Sequence, residues 1–296
     1  MKSERIIKEP SFGTLHRMPP WVTSSHGETL EDVAFLSGAA LAALHVVRAS
    51  EDIPQTLLRA RLALSAAESC VLLSGRLERA GELRDAVHLL RPGDLPGPAG
   101  DIYQCWQRAV QRPVSIKALH RALPEHAPAQ IATWLDAGTG SPITRAAQVL
   151  EAVLVEAPRA ETSSLILADA ALGKALGWDY LMPLLASGLK RGDLRMRGDD
   201  LRLACHRAAT ASAVDAVRLS ADVALRATRL NTVAPRLRAK GAEEAVAMFL
   251  TRDAVTPSSL TSLNSDRAAR RFCDRLVELG VARELTGRDT FRLYGV

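Results

Sequence analysis

Six arginines near the end of the chain are the residues whose type and spacing point most directly to a chemistry. They are Arg267, Arg270, Arg271, Arg275, Arg288 and Arg292. A guanidinium group can donate two parallel hydrogen bonds to the edge of a guanine, or to a phosphate of the DNA backbone. We therefore expect these side chains to contact double-stranded DNA, which would make the chain a DNA-binding protein and a candidate transcriptional regulator.

Four of these arginines lie on residues 266–279, a segment that is predicted to be a helix with one buried face. Its apolar side chains recur at steps of three and four residues. They are Ala269, Phe272, Cys273, Leu276 and Leu279. Ser265 is a good N-cap, and Gly280 supplies the left-handed residue that ends many helices. The helix would therefore turn its arginines to solvent, with Arg275 at the margin of the exposed face.

Shorter segments around this helix complete the pattern of a winged helix-turn-helix. Residues 243–250 have helical character, and residues 257–260 resemble the start of a short second helix. Two β-prone runs, residues 281–285 and 290–294, follow the arginine helix. Gly287 in their four-residue connection favours a hairpin, which would be the wing.

The predicted wing carries Arg288 at its tip and Arg292 in its second strand, placed to reach the DNA backbone or the minor groove. From Lys240 onward, however, nine Lys and Arg are balanced by eight Asp and Glu, so the charge of this region favours DNA only weakly. Extending the count back to Arg226 adds four arginines and no acidic residue. Winged helices also bind proteins, so a protein-interaction module is left open as the alternative.

The composition of the whole chain favours helices packed through small residues. The chain has 296 residues, of which 47% are hydrophobic and only 4% aromatic, and its net charge is +5. We expect a mainly α fold, a multi-helix bundle body followed by a C-terminal winged helix-turn-helix with a small β-hairpin. The predicted parts are an extended or disordered lead segment (residues 1–29), an all-helical domain for dimerisation or sensing (30–236), and the winged helix (237–296).

Eleven helices are predicted in the body from periodicity, caps and the positions of Pro and Gly. They cover residues 30–49, 54–79, 81–90, 99–111, 115–123, 127–137, 142–157, 163–176, 179–189, 199–209 and 213–230. Tyr103 and Trp106 lie at helical spacing and are expected in the core. No strand is predicted before residue 281.

Catalysis and metal binding are not expected from this sequence. The four cysteines are scattered without a CxxC pair, and the seven histidines form no close ligand pair. No set of nucleophile, base and orienting residue is recognisable, so no cofactor, metal or enzymatic activity is predicted. The cysteine usage and the absence of an early apolar segment favour the cytoplasm. The apolar run at residues 33–47 is too short to span a membrane and is interpreted as a core helix.

Three stretches resemble an uncharacterised family of proteobacterial proteins, catalogued only as a domain of unknown function (family 1403). They are residues 32–40 (DVAFLSGAA), 91–100 (RPGDLPGPAG) and 265–294 (SDRAARRFCDRLVELGVARELTGRDTFRLY). The resemblance covers nearly the whole chain, and it brings no assigned activity with it.

The segment from about Trp178 to the end is also similar to the C-terminal part of some Fic-type proteins. Those proteins end in a helix-turn-helix whose wing is comparable to the RELTGR…FR stretch of this chain. Their helical body carries a nucleotidyl-transfer motif that begins His-Pro-Phe and continues Gly-Asn-Gly-Arg. Neither part of that motif occurs in this sequence, so no catalytic residue is carried over, and a related body would be catalytically silent.

Overall fold

The computed structural model describes residues 17–25, 27–91, 93–288 and 290–296. Over these residues the fold is mainly helical, as predicted, with one two-stranded antiparallel sheet. The helices are α1 (Pro20–Ser24), α2 (Leu30–Ala49), α3 (Gln55–Leu73), α4 (Ala80–His88), α5 (Gly97–Gln111), α6 (Ile116–Ala122), α7 (Pro128–Asp136), α8 (Pro142–Glu156), α9 (Glu161–Ala175), α10 (Leu185–Gly188), α11 (Gly198–Val233), α12 (Ala242–Phe249) and α13 (Asp266–Glu278). The strands are β1 (Arg283–Glu284) and β2 (Tyr294–Gly295), and 3-10 turns lie at Asp193–Arg195, Ala234–Arg236 and Pro257–Ser259.

The core of the body is built from helix pairs that pack through Ala and Leu side chains. The most extensive pairs are α8 with α9, α2 with α11, and α3 with α5. Tyr103 and Trp106 of α5 are fully buried, as predicted from their helical spacing. Trp106 donates a hydrogen bond from Nε1 to Sγ of Cys70 at 3.3 Å, so its one polar atom is satisfied inside the core.

The longest helix, α11, runs unbroken for 36 residues, where the sequence predicted two helices separated at residues 210–212. Polar side chains lie at the predicted break. Thr210 donates from Oγ1 to the carbonyl oxygen of His206 at 3.0 Å, and Ser212 is buried. The predicted break was wrong because the hydroxyl of Thr210 bonds within the helix and does not compete with it.

Residues 179–189 were predicted to form a helix, but the first part of this stretch is extended. A buried carboxylate caps the point where the extended part ends. Asp169 of α9 is 1% exposed and accepts hydrogen bonds from the backbone N–H groups of Leu184 at 3.1 Å and Leu185 at 3.0 Å. The chain therefore forms only the four-residue helix α10 in this region. The prediction was wrong because the capping group belongs to a different helix, which local periodicity does not reveal.

Part of the predicted lead segment, residues 1–29, is folded. Residues 1–16 lie outside the described residues, but Pro20–Ser24 form α1. The proline at its first position favours helix initiation because its fixed φ suits the first turn. Trp21 stacks on Phe35 of α2 with ring centroids 5.4 Å apart. The prediction of an extended or disordered segment was therefore wrong for this short helix.

Helix α2 spans 20 residues and extends beyond the apolar run at its centre. Within the described residues it is the one helix long and apolar enough to cross a membrane, a test that core helices of soluble proteins also pass. The length of α2 therefore does not exclude a membrane span, although the apolar run at residues 33–47 alone was judged too short for one. One face of α2 packs on α11, where Oγ of Ser37 is hydrogen-bonded to Nδ1 of His206 at 2.7 Å.

A second, smaller core joins the body to the C-terminal elements. It contains Phe249 of α12 and Phe272 of α13 together with Leu57 of α3 and Leu230 of α11. None of these four side chains is more than 5% exposed. The predicted boundary between residues 236 and 237 therefore lies beside a core to which both sides contribute.

Candidate nucleic-acid interface

Helix α13 is capped by the residues that the sequence indicated. Oγ of Ser265 accepts a hydrogen bond from the N–H of Ala268 at 3.2 Å, and Gly280 has a φ of 68°. The apolar side of α13 faces the second core. Ala269, Phe272, Cys273 and Leu276 are buried, and Leu279 is half-buried. The opposite side is left to the charged residues.

The remaining C-terminal elements are shorter than predicted. The second helix is a single 3-10 turn at Pro257–Ser259, and each strand has two residues. Phe291 interrupts the predicted second strand because its φ of 56° is left-handed. Tyr294 exchanges two backbone hydrogen bonds with Val255, at 2.8 and 2.9 Å. The second strand is thus attached to the segment between α12 and α13 as well as to β1.

Three arginines of α13 share one exposed side. Arg267, Arg271 and Arg275 recur at four-residue steps, which places them along one side of a helix, and all three are exposed. Arg275 is ion-paired with Glu278 at 3.0 Å. Arg267 and Arg271 have no acidic partner in the described part of the chain. Their guanidinium groups are therefore available to an anionic ligand.

Arg270 is also exposed and lies next to a cleft. With Asp266 and Asp274, four residues before and after it, Arg270 lines a cleft of about 690 Å³. His88 at the end of α4 and Phe291 also line this cleft. The sequence placed Arg267, Arg270 and Arg271 on one exposed face; all three are exposed, and of these only Arg270 lines the cleft.

The two arginines of the predicted wing both make contacts within the protein. Arg288 is ion-paired with Asp85 of α4, although its side chain remains 54% exposed. Arg292 donates from Nε to the carbonyl oxygen of Arg288 at 2.9 Å and lies 3.9 Å from Glu284. The DNA contact predicted for Arg288 therefore competes with a contact to the body.

A buried ion cluster attaches the C-terminal elements to the body, and sequence reasoning missed it. Asp253, 3% exposed, accepts hydrogen bonds from Arg84 of α4, from Nε at 2.6 Å and from Nη2 at 3.0 Å. Arg61 of α3 has its Nε 3.3 Å from the same carboxylate and donates from Nη2 to the carbonyl oxygen of Val296. These residues are far apart in sequence, and no local pattern marks them as partners.

Two guanidinium groups of this cluster contact the carboxylate of Asp253. Burial lowers the pKa of Arg61, and the charge of Asp253 opposes that effect. The neighbouring charges of Arg283, Arg84 and Arg226 lower the pKa of the same guanidinium further. For Arg84, burial is outweighed by the hydrogen bond and charge of Asp253, so its pKa is raised. One buried carboxylate thus serves two guanidinium groups.

Other titratable side chains do not assemble a nucleophilic or metal site within the described residues, where no three His, Cys, Asp or Glu converge. Burial raises the pKa of the Cys70 and Cys273 thiols to about 12, which suppresses the reactive thiolate. Burial also lowers the pKa of His206 to about 4 and raises that of Asp169 to about 7. Both groups have structural roles, since His206 is hydrogen-bonded to Ser37 and Asp169 caps a backbone turn.

Comparison with known proteins adds one finding to this geometry. Residues 9–296 match the family described as Protein of unknown function (DUF1403). No curated protein matches the chain, so the similarity of the tail to Fic-type proteins stays a prediction. Because the match spans nearly all of the sequence, the chain belongs to the DUF1403 family.

Proposed function

We propose that this protein binds double-stranded DNA through a winged helix-turn-helix formed by residues 242–296. The observation that carries the proposal is the exposed side of α13, where Arg267 and Arg271 have no acidic partner among the described residues while the other side is fixed in the second core. A helix held in this way can enter the major groove of DNA without losing its packing. The helical body would then serve dimerisation or sensing in a DNA-binding regulator.

We assign base recognition to Arg267 and Arg271, which lie in the N-terminal half of α13. An arginine that bonds O6 and N7 of a guanine contributes ~1–3 kcal/mol of discrimination against other bases. Arg275 and Arg288 each have an acidic partner, so exchanging that partner for a DNA phosphate gains less. Arg270 contributes only where DNA reaches the mouth of the cleft that it lines.

The attachment of the C-terminal elements to the body supports this proposal. Asp253 and Leu57 fix these elements to α3 and α4 through a buried ion cluster and a shared core. A recognition helix held in one orientation loses less conformational entropy on binding than a helix on a flexible tether. If two copies of the chain associate, the fixed orientation would also set the spacing of two DNA half-sites.

Two charge-matched double variants test the proposal by fluorescence anisotropy, with duplex DNA from the region upstream of the gene. Arg267→Gln/Arg271→Gln removes the exposed pair on α13. Arg112→Gln/Arg191→Gln removes two exposed body arginines that have no acidic partner in the described ranges. We expect the first variant to bind at least ~10-fold more weakly than wild type, and the second to bind nearly as wild type does. Equal affinity of wild type and both variants would contradict the proposal.

The alternative function is a protein-interaction module, and one observation favours it. Phe291 is 63% exposed and lines the mouth of the 690 Å³ cleft beside α13. An exposed aromatic side chain next to a cleft is a common anchor for a protein partner. A Phe291→Ser variant examined by sedimentation velocity tests whether that partner is a second copy of the chain. A wild type that binds no DNA but forms a dimer, with the dimer lost in this variant, would favour the interaction module.

A further inference from the structure

A small pocket between α11 and the residues that follow α13 is lined by three arginines. Arg226 and Arg229 come from the C-terminal end of α11, and Arg283 comes from β1. The remaining lining is Gly280, Val281 and Ala282, so no acidic side chain borders the pocket. Its volume is about 90 Å³. Positive groups thus converge on a space too small for a nucleoside.

The positive charge of this pocket is only partly neutralised by the protein. Arg226 donates from Nε to both carboxylate oxygens of Asp222, each at 2.8 Å. Arg229 and Arg283 are exposed, and neither has an acidic partner over the part of the chain that the structure describes. One carboxylate therefore serves three guanidinium groups around the pocket.

The excess of positive charge extends inward from the pocket. Arg226 and Arg283 both act unfavourably on the charge of the buried Arg61. The Nε–H of Arg61 has no hydrogen-bond partner among the described residues, although it lies 3.3 Å from Asp253. An anion bound between Arg226 and Arg283 would relieve this repulsion.

We propose that this pocket binds a single phosphate group. A phosphate offers several acceptor oxygens and up to two negative charges, and it pairs with the forked donors of arginine better than a carboxylate does. The volume admits one phosphate, and the rest of the ligand must lie outside. The phosphate comes either from a DNA backbone or from a small phosphorylated molecule. In the first case the inference rests on the proposed function, and in the second it stands without it.

The first experiment measures the thermal unfolding of the full chain in inorganic phosphate and in chloride at equal ionic strength. We compare wild type, Arg229→Gln/Arg283→Gln, and the control Arg112→Gln/Arg191→Gln. Phosphate is expected to raise the Tm of wild type and of the control, because a ligand that binds only the folded state stabilises it. The rise should be absent in Arg229→Gln/Arg283→Gln. In chloride this variant is expected to melt at or above the wild-type Tm, because it removes repulsion.

The second experiment identifies the source of the phosphate by DNA binding of the same variants at several salt concentrations. If the pocket holds a DNA phosphate, Arg229→Gln/Arg283→Gln should weaken binding to every sequence and reduce the salt slope by about 1, because one phosphate contact is lost. If the pocket holds a small phosphorylated molecule, only the phosphate-dependent Tm should change.

The two proposals fail in different ways. A wild type that is stabilised by phosphate but binds no DNA would overturn the proposed function and leave the pocket standing. If Arg229→Gln/Arg283→Gln matched the control variant in both experiments, the pocket would be overturned, whatever the α13 variant did.

Discussion

Two buried titratable residues act on the stability of the protein in opposite directions. Burial raises the pKa of Asp169 from 3.8 to about 7, so the folded state binds a proton more tightly than the unfolded chain does. Its contribution to stability is complete below about pH 4 and is lost as the pH rises through 7. Burial lowers the pKa of His206 from 6.5 to about 4. The contribution of His206 is complete above about pH 6.5 and is lost as the pH falls through 4.

Single variants at these positions should separate the two effects. In His206→Gln, which keeps a hydrogen-bonding group near Ser37, the free energy of unfolding should rise as the pH falls from about 7 to about 5, because Asp169 still takes up its proton. In Asp169→Asn the free energy should fall over the same range. Urea unfolding across that range measures both trends. Identical pH slopes in the two variants would contradict the assigned pKa shifts.

The buried carboxylate of Asp253 should contribute more to stability than any surface ion pair. Asp253→Asn removes the carboxylate that Arg61 and Arg84 share, and breaking a buried pair costs about 3–5 kcal/mol. The control Asp215→Asn breaks an exposed pair with Arg218, 3.4 Å apart, and should cost less than about 1 kcal/mol. Urea unfolding at neutral pH gives both values. Equal costs in the two variants would refute the buried cluster as a major stabilising contact.

Among the secondary-structure elements, α12 depends most clearly on one backbone position. Gly241 precedes the helix with a φ of 83°, and a Cβ there would lie 2.1 Å from the carbonyl oxygen of Ser262. A left-handed conformation already costs a non-glycine residue about 1–2 kcal/mol. The Ser262 backbone cannot move away freely, because its hydroxyl also donates to the carbonyl oxygen of Gly241 at 2.9 Å.

Gly241→Ala is therefore expected to lower the free energy of unfolding by more than the cost of strain alone. Gly177→Ala is the matched control, because its φ is 69° and nothing lies within 4 Å of its added Cβ. We expect a loss of about 1–2 kcal/mol in the control and a larger loss in Gly241→Ala. Urea unfolding followed by circular dichroism compares them. Equal losses would mean that the loop around Ser262 adapts at no cost.

The helices could be predicted from sequence where their caps and apolar periodicity are local. Ser265 and Gly280 gave the bounds of α13 to within one residue, since both act on their own helix. The short α10 was not predictable, because the carboxylate of Asp169 on another helix caps it. The continuity of α11 was missed because the hydroxyl of Thr210, in a run that suggested a break, bonds within the helix. The length of the second strand was also predicted wrongly, because no sequence signal marks the left-handed conformation of Phe291 that interrupts it.

On the scale of the whole molecule, the candidate site was only half predictable. The exposed arginines of α13 followed from periodicity. The partners that decide which of them are available did not, because Asp85 lies on α4, about two hundred residues before Arg288. The pocket around Arg283 was missed for the same reason, since its other two arginines belong to α11.

The body and the C-terminal elements should unfold together. All four tryptophans lie before residue 237, so tryptophan fluorescence reports on the body. Asp253→Asn alters the C-terminal elements, yet it should lower the urea midpoint equally by fluorescence and by circular dichroism, because Arg61 and Arg84 carry the change into α3 and α4. A fluorescence midpoint that stays at the wild-type value would show that the C-terminal elements unfold alone.

The Asp253 cluster also limits how this protein can change by recombination. The carboxylate belongs to the C-terminal elements, and the two guanidinium groups that need it belong to the body. A chimera that replaced residues 237–296 with an unrelated tail would leave Arg61 and Arg84 as buried cations without a counter-charge and would uncover Leu57. Such a chimera would be less stable than the parent protein, whatever the new tail could bind. We therefore expect the two parts to be inherited as one piece, in keeping with a family match that extends across residues 9–296.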